Sequence, residues 1–161
     1  MRAEMRLEID GKEANIKFSA CHLISEHPKC GRLHGHVYVM SMVIHGEKGD
    51  HGMIMDFTEL KSMMRRIVED FDHRVLIAGN CPRIKISVDK EIVVEISGKR
   101  YVFPPEDVII IDAEEASAEE VARVLLSRVL SEIRFPINVN RIEVGVDEER
   151  GQSAWISCDL R

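Results

Sequence analysis

The spacing of apolar residues changes sharply along the chain, and this change limits the folds that it can form. Up to about residue 45, apolar and polar residues alternate, as at Met5, Leu7 and Ile9, which is the pattern of strands with one buried face. After Asp56 the apolar residues instead recur every three or four positions, which indicates an amphipathic helix. A chain with both periods must pack helices against a sheet.

The alternating stretches predict three strands in the first part of the chain. The pair Asp10-Gly11 separates the first two strands and favours a hairpin turn between them. The second strand should cover Ile16 to His22, and a loop at 23–33 should lead to a third strand from His34 to His45. We expect the second and third strands to be neighbours in one sheet.

Two amphipathic helices follow from the second period. Asp56 can cap the first helix, which should end near Asp72-His73, and Ser117 can cap the second, with Glu120 in the capping-box position. The residues expected to face inward are Phe57, Leu60, Met64, Ile67 and Phe71 in the first helix and Val121, Leu125, Val129 and Ile133 in the second.

The rest of the chain adds further strands. Residues 84–103 alternate on both sides of Ser97-Gly98, which predicts one or two extra hairpins. Two closing strands are expected at about 141–147 and 153–158. We therefore predict one α+β domain over residues 1–161, with an antiparallel sheet covered on one face by two helices and an inserted β-hairpin region at about 78–112. The open face of such a sheet favours an oligomer.

Charge and composition exclude some classes of partner. The 161 residues carry a net charge of −6, which argues against a general electrostatic attraction to nucleic acid or to an anionic membrane. No apolar run approaches the roughly 20 residues that span a bilayer, and the charged start is unlike a signal peptide. Together with four cysteines that lack CxxC spacing, this predicts a cytoplasmic protein without a disulfide framework.

Three histidines are candidates for a metal site. His34 and His36 are two residues apart on a predicted strand, so their rings share a face, and His22 ends the preceding strand. If the two strands pair, three imidazoles converge and leave a fourth position open, as in catalytic zinc sites. The alternative is a half-exposed His-x-His pair with no role.

Cys30 lies four residues before His34, in the predicted loop. Lys29 and Arg32 flank it, and nearby positive charge favours the thiolate, which acts as a nucleophile or a base. In the alternative reading Cys30 is a fourth zinc ligand, which would close the site into a structural one.

Carboxylates supply two further candidates. Asp72 and His73 follow the first helix and could form an acid/base relay, although a histidine there can also simply interact with the helix dipole. Glu148 ends the penultimate predicted strand. Its carboxylate could accept two hydrogen bonds from an amidine-like N–H pair of a heterocycle, or it could be a solvated turn residue.

These pieces, taken together and in order, resemble the family of 6-pyruvoyltetrahydropterin and 6-carboxytetrahydropterin synthases. The resemblance covers roughly residues 16–76 and 113–157. The segments that carry it are Phe18-Ser19-Ala20-Cys21-His22, Cys30-Gly31-Arg32-Leu33-His34-Gly35-His36, Gly52-Met53-Ile54-Met55-Asp56-Phe57, Phe71-Asp72-His73, Ser117-Ala118-Glu119 and Val146-Asp147-Glu148.

The resemblance implies a tunnelling fold, in which three subunits close their sheets into a barrel and two trimers stack into a homohexamer. It also implies active sites between subunits, so that Cys30 and Glu148 can come from different chains. The implied roles are zinc binding for His22, His34 and His36, proton abstraction for Cys30, acid/base catalysis for Asp72 and His73, and pterin binding for Glu148 with the Ser117 hydroxyl.

The length of the segment between Cys30 and the His34-Gly35-His36 segment points to one reaction within the family. Only residues 31–33 intervene, which resembles the 6-carboxytetrahydropterin synthases, whereas the pyruvoyl-forming enzymes typically have a longer spacer. The resemblance thus implies conversion of 7,8-dihydroneopterin triphosphate to 6-carboxy-5,6,7,8-tetrahydropterin, acetaldehyde and triphosphate, on a route to the 7-deazaguanine tRNA nucleosides queuosine or archaeosine.

Three alternatives remain open from the sequence. One is the pyruvoyl-forming reaction, which eliminates triphosphate. A second is a pterin-binding homologue without catalysis, suggested by the insert and by Glu149, which stands where the family usually has threonine. The third is a structural zinc module with Cys30 as a ligand.

Overall fold

The computed structural model describes residues 5–161; residues 1–4 of the predicted domain lie outside the described part. The strands and helices, in chain order, are β1 (Met5–Ile9), β2 (Lys17–His22), β3 (His34–Gly46), α1 (Phe57–Glu69), β4 (Arg74–Ala78), β5 (Ile84–Val88), β6 (Ile92–Ile96), β7 (Lys99–Phe103), β8 (Val108–Ile111), α2 (Ala118–Glu132), β9 (Val139–Glu149) and β10 (Gln152–Asp159).

A seven-stranded sheet in the order β10-β9-β3-β2-β4-β8 forms the centre of the molecule, and β1 also pairs with β3. The long strand β3 is antiparallel to β1, β2 and β9, and β9 is antiparallel to β10. Beyond β2, the strands β4 and β8 extend the sheet in parallel. The predicted α+β class with a sheet and two helices is confirmed, and the departure from antiparallel pairing is confined to this edge.

The predicted hairpin between β1 and β2 is wrong. Both strands pair with β3. β1 pairs with its second half, with Ile9 opposite Met42, and β2 pairs with its first half, with Lys17 opposite Val39, so the two strands lie end to end along one side of β3. The connection between them passes close to β3 at Gly11, where a Cβ atom would lie 1.9 Å from the carbonyl oxygen of Met40. Alternation alone does not distinguish two strands that face each other from two that share a partner.

Both helices cover the same face of the sheet. Asp56 caps α1 by accepting hydrogen bonds from the backbone N–H groups of Thr58 and Glu59, and Ser117 caps α2 through the N–H of Glu120. The inward residues predicted for α2 are all buried. In α1 the prediction fails for Phe57, which is 53% exposed, because it is the first residue of the helix and lies beyond the edge of the core. Within the described residues no helix is long and apolar enough to span a membrane.

The part of the insert that forms a separate unit is shorter than the predicted range of 78–112. Strands β5, β6 and β7 form their own antiparallel sheet, as two consecutive hairpins. Its apolar face, including Ile92 and Val94, packs against Ile77 and Val108 of the main sheet. The remaining part of the predicted insert contains β8, a run of four β-branched residues that pairs with β4 and belongs to the main sheet.

The face of the sheet opposite the helices stays partly open. Val37 on β3 is 54% exposed and Trp155 on β10 is 46% exposed. The indole ring of Trp155 lies directly over Gly145, where a Cβ atom would approach it to 2.5 Å. Exposed large apolar side chains on a sheet face are typical of a surface that another chain covers.

The orientation of α1 can be tested with two substitutions in its first turn. We expect Leu60→Ala to lower the free energy of unfolding by about 2–5 kcal/mol, because Leu60 is fully buried and the substitution leaves a cavity. The matched change Phe57→Ala should alter it by about 0.5 kcal/mol or less. Urea denaturation at one fixed protein concentration measures both, and equal losses would contradict this orientation.

Candidate active site and metal centre

The pairing of β2 with β3 brings three histidines together. His22 and His34 are directly opposite each other in the strand register, and His36 lies opposite Ala20. All three rings project from the face that the helices cover. The Nε2 atoms of His22 and His34 are 3.1 Å apart, and one ligand nitrogen from each of the three rings lies within 4.8 Å of the others. The predicted convergence of imidazoles is therefore present in the structure.

Backbone carbonyl groups fix the orientation of two of these rings. The Nδ1–H of His22 donates to the carbonyl oxygen of Ala116 at 2.6 Å, and that of His34 donates to Arg32 at 2.7 Å. In this tautomer each Nε2 keeps its lone pair, and a lone pair is what a metal ion binds. The third ring has a different neighbour, because Nδ1 of His36 lies 3.6 Å from Oε1 of Glu149.

Burial keeps His22 in the form that binds metals. Desolvation lowers the pKa of His22, which is 1% exposed, and it outweighs the opposing effects of the Ala116 carbonyl and the Glu148 carboxylate. A neutral imidazole is the ligand form of histidine. Within residues 5–161 the metal-ligand cluster consists of the three histidines and no cysteine. The donor set therefore fits a metal ion with an open coordination position, as in catalytic zinc sites.

A cavity of about 650 Å³ lies directly beside the histidines. Cys30, Lys29 and Arg32 reach it from the loop, Ser117 from the start of α2, and Glu148 from the end of β9. A single chain thus brings Cys30 and Glu148 to one cavity, although the resemblance allowed them to come from different chains.

Glu148 and Tyr38 form a pair that the motifs alone did not reveal. Oε1 of Glu148 lies 3.2 Å from Nε2 of His22 and 3.6 Å from Nε2 of His36, and it accepts a hydrogen bond from the Tyr38 hydroxyl at 3.5 Å. Burial and the adjacent carboxylate raise the pKa of Tyr38, so its hydroxyl remains a donor. The sequence contains one signal for this residue: Tyr38 continues the alternation of His34 and His36 on the same face.

The Ser117 hydroxyl lies at the rim of the cavity with a structural role of its own. It accepts the N–H of Glu120 at 3.4 Å, which satisfies one of the free donors in the first turn of α2. The start of the helix is thereby held beside the histidines, next to the Ala116 carbonyl that orients His22.

Asp72 and His73 form a preassembled pair at a different place. Asp72 accepts the N–H of Ser19 at 2.7 Å and contacts Nδ1 of His73 at 2.8 Å. The Ser19 hydrogen bond and then His73 lower the pKa of the Asp72 carboxyl. His73 has φ of 58°, a left-handed conformation that is uncommon for this residue type, and its side chain is 82% exposed. It lines a second depression with Cys21 and Val37, not the cavity of Cys30.

Comparison with known proteins agrees with this arrangement. The family model described as 6-pyruvoyl tetrahydropterin synthase matches residues 13–158. The chain belongs to the 6-pyruvoyl tetrahydropterin synthase family. The crystal structure of a family member, 6-pyruvoyl tetrahydropterin synthase from Plasmodium vivax, superposes with a TM-score of 0.90 at 25% identity and covers 98% of this chain and 99% of its own. This similarity confirms the predicted tunnelling-type fold.

Two archaeal relatives in the family carry a more specific name. The chain is 32% identical over 155 residues to a protein of Methanocaldococcus jannaschii provisionally named 6-carboxy-5,6,7,8-tetrahydropterin synthase, and the match covers 93% of this chain and 94% of the relative. A Pyrococcus abyssi protein with the same provisional name is 32% identical over 133 residues, which cover 83% of this chain and 79% of the relative.

Metal binding by the histidine cluster can be measured directly. We expect His36→Ala to weaken binding of a divalent transition metal by more than about 100-fold, since even the outer partners of ligands contribute about 10- to 100-fold. The control is His51→Ala, because His51 is exposed and lies outside the cluster. Competition with a chromogenic chelator gives both affinities, and an unchanged affinity in His36→Ala would exclude this cluster as the metal site.

Proposed function

We propose that the protein is a zinc-dependent lyase, a 6-carboxy-5,6,7,8-tetrahydropterin synthase. It would convert 7,8-dihydroneopterin triphosphate and water to 6-carboxytetrahydropterin, acetaldehyde and triphosphate. The observation that supports this most strongly is the open three-histidine cluster beside Cys30 and Glu148 in one cavity. A structural zinc module would have its fourth ligand within the cluster, which is not the arrangement of the described residues.

His22, His34 and His36 are the residues that would hold zinc. When bound, zinc supplies Lewis acidity, which makes substrate hydroxyl groups and the C–H bonds next to them more acidic. The contribution of the chain is to orient the Nε2 atoms of His22 and His34 through the carbonyl groups of Ala116 and Arg32.

Cys30 is the base that we assign to the substrate side chain. A thiolate at the edge of the cavity can take a proton from a carbon atom whose neighbouring hydroxyl is polarised. Lys29 and Arg32 line the same cavity and bring positive charge to it. The same charges can attract the triphosphate group of the substrate.

Glu148 is the residue that we assign to recognition of the pterin ring. A carboxylate can accept two parallel hydrogen bonds from an amidine-like edge, and this requires a fixed orientation. The Tyr38 hydroxyl holds one oxygen of Glu148 from within the core. The Ser117 hydroxyl lies on the same cavity and offers a further polar contact to the ring.

Asp72 and His73 are assigned to a neighbouring chain's site in a homohexamer. The pair is preassembled and exposed, but it lies away from the cavity of Cys30 in its own chain. The partly open sheet face at Val37 and Trp155 provides a surface for the contact between subunits. In such an assembly, His73 would relay protons beside the Cys30 of another subunit, in the cytoplasm.

Both product assignments have support from family members. The short spacer of residues 31–33 and the names of the archaeal relatives favour the carboxy product and a route to 7-deazaguanine nucleosides. The pyruvoyl-forming reaction is the second candidate, because the Plasmodium vivax structure with the high TM-score carries that name.

Product analysis with a cysteine variant tests the proposed reaction. Zinc-loaded protein incubated with 7,8-dihydroneopterin triphosphate should release acetaldehyde and 6-carboxytetrahydropterin, detected by trapping and mass spectrometry. Cys30→Ala should lose about 100-fold or more in kcat and keep its zinc, because general-base catalysis contributes about 10²- to 10⁴-fold. Cys158→Ala is the matched control.

Three outcomes would contradict parts of this assignment. Pyruvoyl product without acetaldehyde would establish the second candidate. Full turnover by Cys30→Ala would exclude the thiolate mechanism. Loss of zinc together with unfolding of that variant would show that Cys30 is a structural ligand.

Mixed oligomers test the assignment of Asp72 and His73 to another chain's site. Cys30→Ala and His73→Ala should each be nearly inactive alone. When the two variants are denatured and refolded together, some sites receive an intact Cys30 and an intact His73 from different chains, so activity should return to about a quarter of wild type for random assembly. If the site lies within one chain, the mixture should show only the sum of the separate activities.

A further inference from the structure

The insert contacts the loop at 23–33 on both sides of Cys30. Before Cys30, the Nε–H group of Arg83, which precedes β5, donates to the Ser25 hydroxyl at 2.8 Å. After Cys30, the ammonium group of Lys99, the first residue of β7, donates to the Gly31 carbonyl at 3.3 Å. An element that could simply decorate the surface is therefore bonded to the loop that carries the proposed base.

Glu115 completes the contact with Arg83. Its Oε2 atom accepts the backbone N–H of Ser25 at 3.0 Å, and its Oε1 atom accepts the Ser25 hydroxyl and the Arg83 guanidinium, the latter at 2.5 Å. Desolvation raises the pKa of Glu115, but hydrogen bonds from Ser25 and Arg83 outweigh it and bring the pKa below its usual value. Ser25 is 8% exposed, so its side of this network is shielded from water.

The same network is adjacent in the chain to the residues that orient the metal cluster. Glu115 directly precedes Ala116, whose carbonyl orients His22, and Ser117, which caps α2. Glu115 thus links the insert, the loop and the start of α2. A shift of the insert would be transmitted to the loop through two side chains, Arg83 and Lys99.

The loop itself is compact enough to move as one piece. Ile24 donates its N–H to the Cys30 carbonyl at 2.8 Å, and Gly31 donates to the His27 carbonyl at 2.9 Å. The N–H of Cys30 donates to Nδ1 of His27 at 2.9 Å. Gly31 has no room for a side chain, because a Cβ atom would lie 2.5 Å from the carbonyl oxygen of His27. The placement of Cys30 therefore depends on how this compact turn is attached to its surroundings.

We propose that the insert is a positioning element for Cys30. Arg83 and Lys99 hold the loop from both sides, and Glu115 joins the loop to the segment whose Ala116 carbonyl orients His22. This rests on the proposed role of Cys30 as the base. Arg83, Glu115 and Lys99 act through the loop and do not touch the substrate. Their effect should fall on the chemical step, since misplacing a catalytic group by about 1 Å can reduce the rate about 100-fold.

Two variants and one matched control test the proposal. Arg83→Ala removes the contact at Ser25, and Lys99→Ala removes the contact at Gly31 from an exposed position where misfolding is not expected. Arg100→Ala is the control, because Arg100 lies next to Lys99 on β7, is exposed, and faces Glu95 of the insert in the strand register. All three remove one positive charge from the same insert.

Hydrogen exchange reports on the loop without reference to activity. The amide groups of Ile24 and Gly31 bond within the loop, so their exchange measures its order and not the loss of the substituted side chain. We expect exchange there to become about tenfold faster in Arg83→Ala and measurably faster in Lys99→Ala, with β3 and β9 unchanged. Arg100→Ala should match wild type.

Steady-state kinetics supply the second measurement. Arg83→Ala should lower kcat about 10- to 100-fold, with KM and zinc content unchanged. Unchanged exchange at Ile24 and Gly31 in both variants would overturn the proposal, as would an equal effect of Arg100→Ala or faster exchange throughout the sheet. If wild-type protein shows no turnover, the proposed function fails, and the exchange measurement still decides whether the insert orders the loop.

Discussion

The register of β2 on β3 is the constraint on which the candidate site depends. It sets His22 opposite His34 and leaves His36 one step further along the same face. A slip of one residue would turn every side chain of β2 to the other face, which would separate His22 from the other two histidines and expose Phe18 and Ala20. The apolar residues that pack under the helices therefore also hold the metal ligands in place, since burial of Phe18 and Tyr38 fixes the same register.

The polar groups of the candidate site comprise those that line the cavity of Cys30 and the Asp72–His73 pair, whose His73 lines a second depression. His22 and His34 have their Nδ1 partners, Glu148 has Tyr38, and Asp72 is bonded to Ser19 and His73 before any ligand is present. Such preorganisation lowers the cost of ordering these groups during the reaction. Yet the Asp72–His73 pair lies away from the Cys30 cavity, and the sheet face beside it stays open. Both features have one explanation if subunits associate through that face.

The insert shows how an additional segment can become part of such a site. Its sheet packs on Ile77 and Val108 of the main sheet through an apolar face. That packing places Arg83 and Lys99 beside the loop. Their hydrogen bonds are directional, whereas the apolar contact is not, so they fix the orientation of the insert relative to the loop. In this chain the position of the Cys30 loop thus depends on a segment that carries none of the sequence motifs of the family resemblance.

Local patterns in the sequence were sufficient to predict much of the fold and part of the candidate site. Alternation and helical spacing predicted the class, the two capped helices and the shared face of His34 and His36, because these features depend on local geometry. The sequence did not predict that β1 and β2 share one edge of β3, that β8 joins the main sheet, or that Tyr38 supports Glu148. Nor did it indicate that Arg83, Ser25 and Glu115 meet. These contacts join residues far apart in the chain, and only the tertiary packing of complete elements decides which distant groups become neighbours.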